Sequence, residues 1–238
     1  GSGKTNLLLQ LLMSHPTKKN RKKNRYYYGL FDNIYLISAS MATLPASFLN
    51  KLDDDRVFDK FSDELLSDII QQMYDGPNQN NLLILDDCAS KFKKLYKKSS
   101  AIKEIFYEGR HYFFTTIISS QDDKEIDSEL RKNTSVSIFT TAQSATSNFE
   151  RASNGYPKHE RLKAKLCIDS VFSQDETSIP HFQKLVYLQG MGDPFVYTIA
   201  NVYDDFRMCS EPLWDYSNKI KERNEKKADK NPLFDSYS

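Results

Sequence analysis

An α/β fold with a mainly parallel sheet flanked by helices is predicted by three features of the chain. Short apolar runs alternate in regular order with segments of helical periodicity. The runs lack a clean in-and-out alternation, as strands covered on both faces do. Two of them, "LLILDD" and "TTIISSQ", end abruptly in polar residues. At 238 residues and 39% hydrophobic, the chain can bury one sizeable core, as a single domain or a domain with an appended lobe.

Each element follows from local pattern. "NLLLQLLMS" reads as a helix that stops near Pro16, and "TKKNRKKNRYYYG" is too charged to be core and reads as a loop. "NIYLISAS" (Asn33 to Ser40), apolar with β-branched and aromatic residues, is a strand. "SDELLSDIIQQMYD" is a helix capped by Ser62, with Leu65, Leu66, Ile69, Ile70 and Met73 at helical spacing. After the turn "GPNQNN" come a buried strand "LLILDD", a helix around "SSAIKEIFYEGR", and a third strand "YFFTTIISSQ" (Tyr112 to Gln121). A short helix "SELRKN" precedes "SVSIFTT", expected as a fourth strand of the same parallel sheet.

Beyond about residue 142 the pattern turns helical, in "SATSNFERAS" and "KHERLKAKLCIDSVFS". The late strands "KLVYLQG" and "PFVYTIA" flank "MGD" and can pair as a hairpin. From Asn224 on the chain is charged and poor in apolar groups, as a loose tail is. The expected organisation is therefore a core over 1–142, helices and late strands over 143–223, and a tail over 224–238. No internal repeat is visible.

With 33 basic against 32 acidic residues, no global charge announces a nucleic-acid partner. Locally, Lys4, Lys18, Lys19, Arg21, Lys22, Lys23 and Arg25 occur with no acid among them, followed by Tyr26 to Tyr28. Such a stretch can meet a phosphate backbone or stack on bases, although lysine runs are more often solvated loops. Cys88, Cys167 and Cys209 are odd in number and widely spaced, which argues against a disulfide framework or a zinc site and suits a reducing compartment. No apolar run approaches the roughly 18 residues of a membrane span.

The chemistry is concentrated at strand ends and in "GSGKT". A phosphate-binding loop surrounds a phosphate with backbone N–H groups at a helix N-terminus, adds a lysine charge, and aims a hydroxyl at Mg²⁺. Gly1, Ser2, Gly3, Lys4, Thr5 and Asn6 fit that role, with Lys4 on the β and γ phosphates and Thr5 on the metal. The first glycine of the G-x-x-x-x-G-K-[ST] pattern, and the strand leading into it, are expected ahead of Gly1. "LLILDD" supplies the acid that such a site needs on a neighbouring strand: Asp86 for the metal and Asp87 for the attacking water. Gln121, at the end of the next strand, can orient water or sense the γ-phosphate, or simply begin a turn. Arg110 and Arg131 are candidates for an arginine offered to a neighbouring subunit, although most arginines are solvated or in salt bridges. His111 suits packing beside the strand better than catalysis.

These residues resemble the genome-packaging ATPases of large DNA viruses, the poxvirus-type branch of the FtsK/HerA P-loop superfamily. "GSGKT" matches the end of the Walker A motif, and "LLILDD" looks like Walker B with two acids. "GRHYFFTTIISSQ" followed by "LRKN" is similar to the family's glutamine-ended strand and arginine-asparagine segment. The C-terminal "DPFVYTIANVYDDFRMCSEPLW" also looks like that of homologues in giant DNA viruses.

The resemblance implies a RecA-like P-loop NTPase core that uses ATP and Mg²⁺ to drive double-stranded DNA into a preformed capsid. It also implies a homo-oligomeric ring, often hexameric, a capsid or portal component as partner, and work at viral assembly sites in the host cytoplasm or in association with the virion. Carried over residue by residue, Lys4 and Thr5 contact phosphate and Mg²⁺, Asp86 is the Walker B acid, Asp87 the catalytic acid, and Gln121 the sensor. Arg131 is the trans-acting finger. The second acid is aspartate where many relatives have glutamate, which shortens its reach by one methylene. Rival readings are a nucleotide kinase or other small P-loop NTPase, and a non-catalytic nucleotide-binding scaffold in capsid assembly. A kinase is disfavoured because no arginine-rich lid is visible.

Overall fold

The structure is a computed structural model that describes residues 3–13, 30–76, 80–109, 114–172, 183–199 and 219. Gly1, Ser2, the basic stretch with Tyr26 to Tyr28, Arg110, His111, Cys209 and the expected tail lie outside the described residues.

Four strands form one parallel sheet: β1 (Asn33–Ser38), β2 (Val57–Phe58), β3 (Asn81–Asp86) and β4 (Phe114–Ser119), in the order β2-β1-β3-β4. Central β3 is buried at every position, and its side chains alternate between two cores. Leu83 and Leu85 join a cluster with Leu66, Ile69, Ile70 and Met73 of α3 (Asp63–Asp75), Phe92 of α4 (Ala89–Leu95), and Ile102 and Ile105 of α5 (Ser100–Tyr107). Leu82 and Ile84 face Leu8, Leu9 and Leu12 of α1 (Lys4–Met13) and Phe48 of α2 (Ala46–Leu49). Helices on both faces explain why these strands read as continuous apolar runs. The expected α/β class, with a mainly parallel sheet flanked by helices, is the class observed.

Local signals account for the helix starts. The Leu65 N–H donates to Ser62 Oγ at 3.1 Å at the start of α3, and the Ile102 N–H donates to Ser99 Oγ at 2.9 Å at the start of α5. Strand β2 went unpredicted because two residues are too short to register as an apolar run.

One expected strand belongs elsewhere. "SVSIFTT" does not extend the parallel sheet: β5 (Val136–Phe139) pairs antiparallel with β6 (Gln183–Leu188), which pairs antiparallel with β7 (Phe195–Ile199). The expected β6–β7 hairpin is present. Packing explains the exchange of sheets. Phe139 sits opposite Leu185, and both are buried with Tyr187, Phe149 of α7 (Ala142–Glu150) and Ile168 of α8 (Lys158–Phe172). Since β5 leads directly into α7, its hydrophobic residues close onto this third cluster. The second sheet thus draws its first strand from residues before the expected boundary at 142. Among the described residues β4 pairs only with β3, and Thr115 on it is exposed.

Candidate functional site

Parallel register brings three strand ends to one level: Ser38 of β1 is aligned with Asp86 of β3, and Asp86 with Ser119 of β4. In an open parallel sheet the carboxyl ends of the strands form the edge where ligands bind. Asp86 is 2% exposed. Its Oδ1 accepts from Ser119 Oγ at 2.5 Å and its Oδ2 from Ser38 Oγ at 3.0 Å. Ser40 Oγ lies 3.3 Å from Asp86 Oδ2 and 3.1 Å from Asp87 Oδ2.

Hydroxyls satisfy the lone pairs of a buried carboxylate without cancelling its charge. Among the described residues no lysine, arginine or histidine stands within ion-pair distance of Asp86. A buried charge of this kind is costly unless something positive compensates it. The donor set is hard oxygen only, carboxylate and hydroxyl, which suits Mg²⁺ held through one or two carboxylates and water. Asp86 with its hydroxyl neighbours therefore has donor chemistry that fits the ion.

Asp87 leaves the strand with φ of 53°, in the left-handed region. Aspartate tolerates that region better than most residues, and such outliers gather at functional sites. Its N–H donates to Ser119 Oγ at 3.4 Å, and its side chain is half-buried. The bend ends the alternation of β3 and sets the Asp87 carboxylate against Ser40.

Lys4 opens α1, and its Nζ donates to the Ser120 carbonyl at 2.9 Å. That bond ties the start of the helix to the carboxyl end of β4, next to the residue that holds Asp86. Gly3 has φ of 74°, a conformation L side chains rarely adopt, and its carbonyl accepts the Leu7 N–H at 3.0 Å. The first turn of α1 contains no acid, whereas α3 has Asp63 and Glu64 there. The positive end of the α1 dipole is thus left for an anion. Thr5 is half-buried and Asn6 buried. Gln121 is exposed, two residues beyond β4 on the same edge.

Arg131, on α6 (Ser128–Lys132), is engaged inside its own chain. Its Nε and NH2 donate to Asn154 Oδ1 at 3.0 and 2.8 Å, and its NH1 donates to the Asp123 and Ile126 carbonyls. Its side chain is 13% exposed, and burial pulls the guanidinium below its ordinary pKa. The structure therefore does not bring it together with Lys4, Asp86 and Asp87 as a free cation.

Sequence reasoning missed Ser38 and Ser40 and noted Ser119 only as polar. The signal was present: "LISAS" and "IISSQ" put hydroxyls at the ends of the two strands that flank the acid-tipped one. Only the register shows that they converge.

By position alone Cys88, directly after the acid pair, could serve as a nucleophile. It is buried, however, and burial raises its thiol to about 11. A group raised this far stays protonated at neutral pH and ionises only as the pH climbs toward that value. Iodoacetamide at pH 8 is accordingly expected to label the half-buried Cys167 well before Cys88, as peptide mapping would show; equal labelling would contradict the burial.

No protein-family model matches the chain. It is 40% identical over 116 residues to "Uncharacterized protein B354L" of African swine fever virus (isolate Tick/Malawi/Lil 20-1/1983), and equally to that protein from isolate Pig/Kenya/KEN-50/1950. The match takes in 49% of this chain and spans 30% of the length of the curated relative. Among solved structures, the chain is similar to the genome packaging NTPase B204 from Sulfolobus turreted icosahedral virus 2 in complex with ATP-gammaS. That likeness has a TM-score of 0.44 at 16% identity, covering 84% of this chain and 92% of the other. The same protein in complex with AMPPCP gives a TM-score of 0.42 at 15% identity, covering 85% and 93%.

Proposed function

We propose that this chain is the ATP-hydrolysing core of a motor that moves double-stranded viral DNA into a capsid. The observation that supports the reading is that Lys4, at the start of α1, and the buried Asp86 are both bonded to the end of β4. Lys4, at an N-terminus without acids, bonds to Ser120 at 2.9 Å, beside the Ser119 that holds the buried Asp86. The viral packaging family supplies the rest by resemblance.

In this reading Lys4 and the N–H groups of α1 bind the β and γ phosphates, and Thr5 and Asp86 hold Mg²⁺. The ion would neutralise charge on the phosphate oxygens. Asp87 takes a proton from water as the water oxygen bonds to the γ-phosphorus and the bond from that phosphorus to the bridging oxygen breaks, giving ADP and phosphate. Gln121 senses the γ-phosphate from the end of β4. The motor acts as a homo-oligomeric ring, hexameric by the resemblance, with a capsid or portal protein as partner at cytoplasmic assembly sites. A second reading, a scaffold that binds nucleotide without hydrolysing it, is separated by turnover alone.

The test is steady-state ATPase activity of the complete gene product with and without duplex DNA. We expect Mg²⁺-dependent hydrolysis stimulated by DNA, and a loss of ATP affinity in Lys4→Ala of roughly 10- to 100-fold, the range for hydrogen bonds to charged groups. A rate indifferent to DNA would speak against a motor. Binding without turnover would favour the scaffold.

A further inference from the structure

We infer that Ser40 is a positioning residue for Asp87: a hydroxyl at the end of β1 that holds the water-activating carboxylate in place. The inference rests on the ATPase reading above. Proton accounting singles Ser40 out from its neighbours. Each serine hydroxyl has one proton to give. That of Ser119 goes to Asp86 Oδ1, and that of Ser38 to Asp86 Oδ2. Ser40 Oγ reaches both Asp87 Oδ2, at 3.1 Å, and Asp86 Oδ2, at 3.3 Å; Asp86 has two other hydroxyl donors and Asp87 has none among the described residues, so the shorter bond to Asp87 is the one that Ser40 alone supplies.

The donor is itself held. The Ser40 N–H donates to Ser38 Oγ at 3.2 Å, and the Ser40 carbonyl accepts from the N–H and Oγ1 of Thr43, each at 2.8 Å. Asp87 is the looser partner. Its backbone has φ of 53°, and among the described residues Ser40 is the only hydrogen-bond donor to its carboxylate. Without this hydroxyl the carboxylate is free to rotate about its side-chain bonds, while Lys4, Thr5 and Asp86 keep their places. The effect should therefore fall on turnover and spare nucleotide binding.

The experiment is a double-mutant cycle of Ser40 and Asp87 on the complete gene product. Ser40→Ala is expected to lower kcat about 10-fold with the KM for ATP within about twofold, an effect of misplacing one catalytic group. Ser40→Thr, which keeps the hydroxyl, should recover most of the rate, and Ser40→Ala/Asp87→Asn should be no slower than Asp87→Asn alone. Wild-type kcat in Ser40→Ala beside an inactive Asp87→Asn would overturn the inference and leave the ATPase reading standing. Additive losses, or a drop in melting temperature that Ser40→Thr does not repair, would show a merely structural role and also overturn it. Full activity in Asp87→Asn would overturn both.

Discussion

Asp87→Asn is expected to bind ATP as the parent does and to lose at least about 100-fold in kcat, the lower end of what a positioned general base contributes. The substitution isolates the chemistry because it changes little else. Asparagine is close to isosteric with aspartate, and it tolerates the left-handed backbone, here at φ of 53°, as readily. Its amide oxygen can still accept from Ser40 Oγ, which stands 3.1 Å from Asp87 Oδ2. It cannot take a proton from water. Alanine would be a poorer probe, since a Cβ without a compensating polar group adds strain of about 1 kcal/mol in that region. Equilibrium titration with a nucleotide analogue and steady-state phosphate release, run on one preparation, separate binding from turnover. A kcat within twofold of the parent would remove Asp87 from the mechanism.

Fold and site were legible to different depths, and the reasons are physical. β3 was readable because its buried positions on both faces leave a continuous apolar run, and α3 because Ser62 and a 3.6-residue period mark its start and its inner face. β5 misled because a short apolar run does not say which edge it will pair with; that depends on Leu185 and Tyr187, some fifty residues away. Lys4, Asp86 and Asp87 were singled out by residue type at a strand end or a helix start, and the structure has Lys4 and Asp86 joined to neighbouring residues at the end of β4. Ser38 and Ser40 were not singled out, since serine is common and its meaning here comes from register between strands distant in sequence. Arg131 differs again: the resemblance made it an arginine offered to a neighbouring subunit, and only packing shows the guanidinium bonded to Asn154 and two carbonyls of its own chain.

The network around Arg131 leads to the largest expected effect on stability, that of Asp123→Ala. Asp123 lies in the turn after β4, and its Oδ1 meets Arg151 NH2 at 2.8 Å while its Oδ2 accepts from Asn148 Nδ2 at 3.0 Å. Arg131 Nε is 4.0 Å from the same Oδ2. Residues of α6 and α7 are thereby tied to the end of the parallel sheet. The two arginine side chains are 13% and 19% exposed, so removing the carboxylate leaves two poorly solvated cations beside each other. Losing one partner of a buried pair costs about 3–5 kcal/mol; partial exposure here places the expectation near the lower figure. For a chain of this size that corresponds to a fall in Tm of roughly 6–12 °C, measurable by calorimetry. Asp123→Asn, which keeps an acceptor but not the charge, should fall between. The same geometry changes how Arg131→Ala must be judged, because a loss of activity there can come from a loosened α6 alone. Mixing Arg131→Ala with Asp87→Asn subunits resolves it. A finger acting across subunits would restore turnover where an intact arginine meets an intact acid, whereas a clamp within one chain gives no such recovery. The contacts of Arg131 within its own chain lead us to expect none.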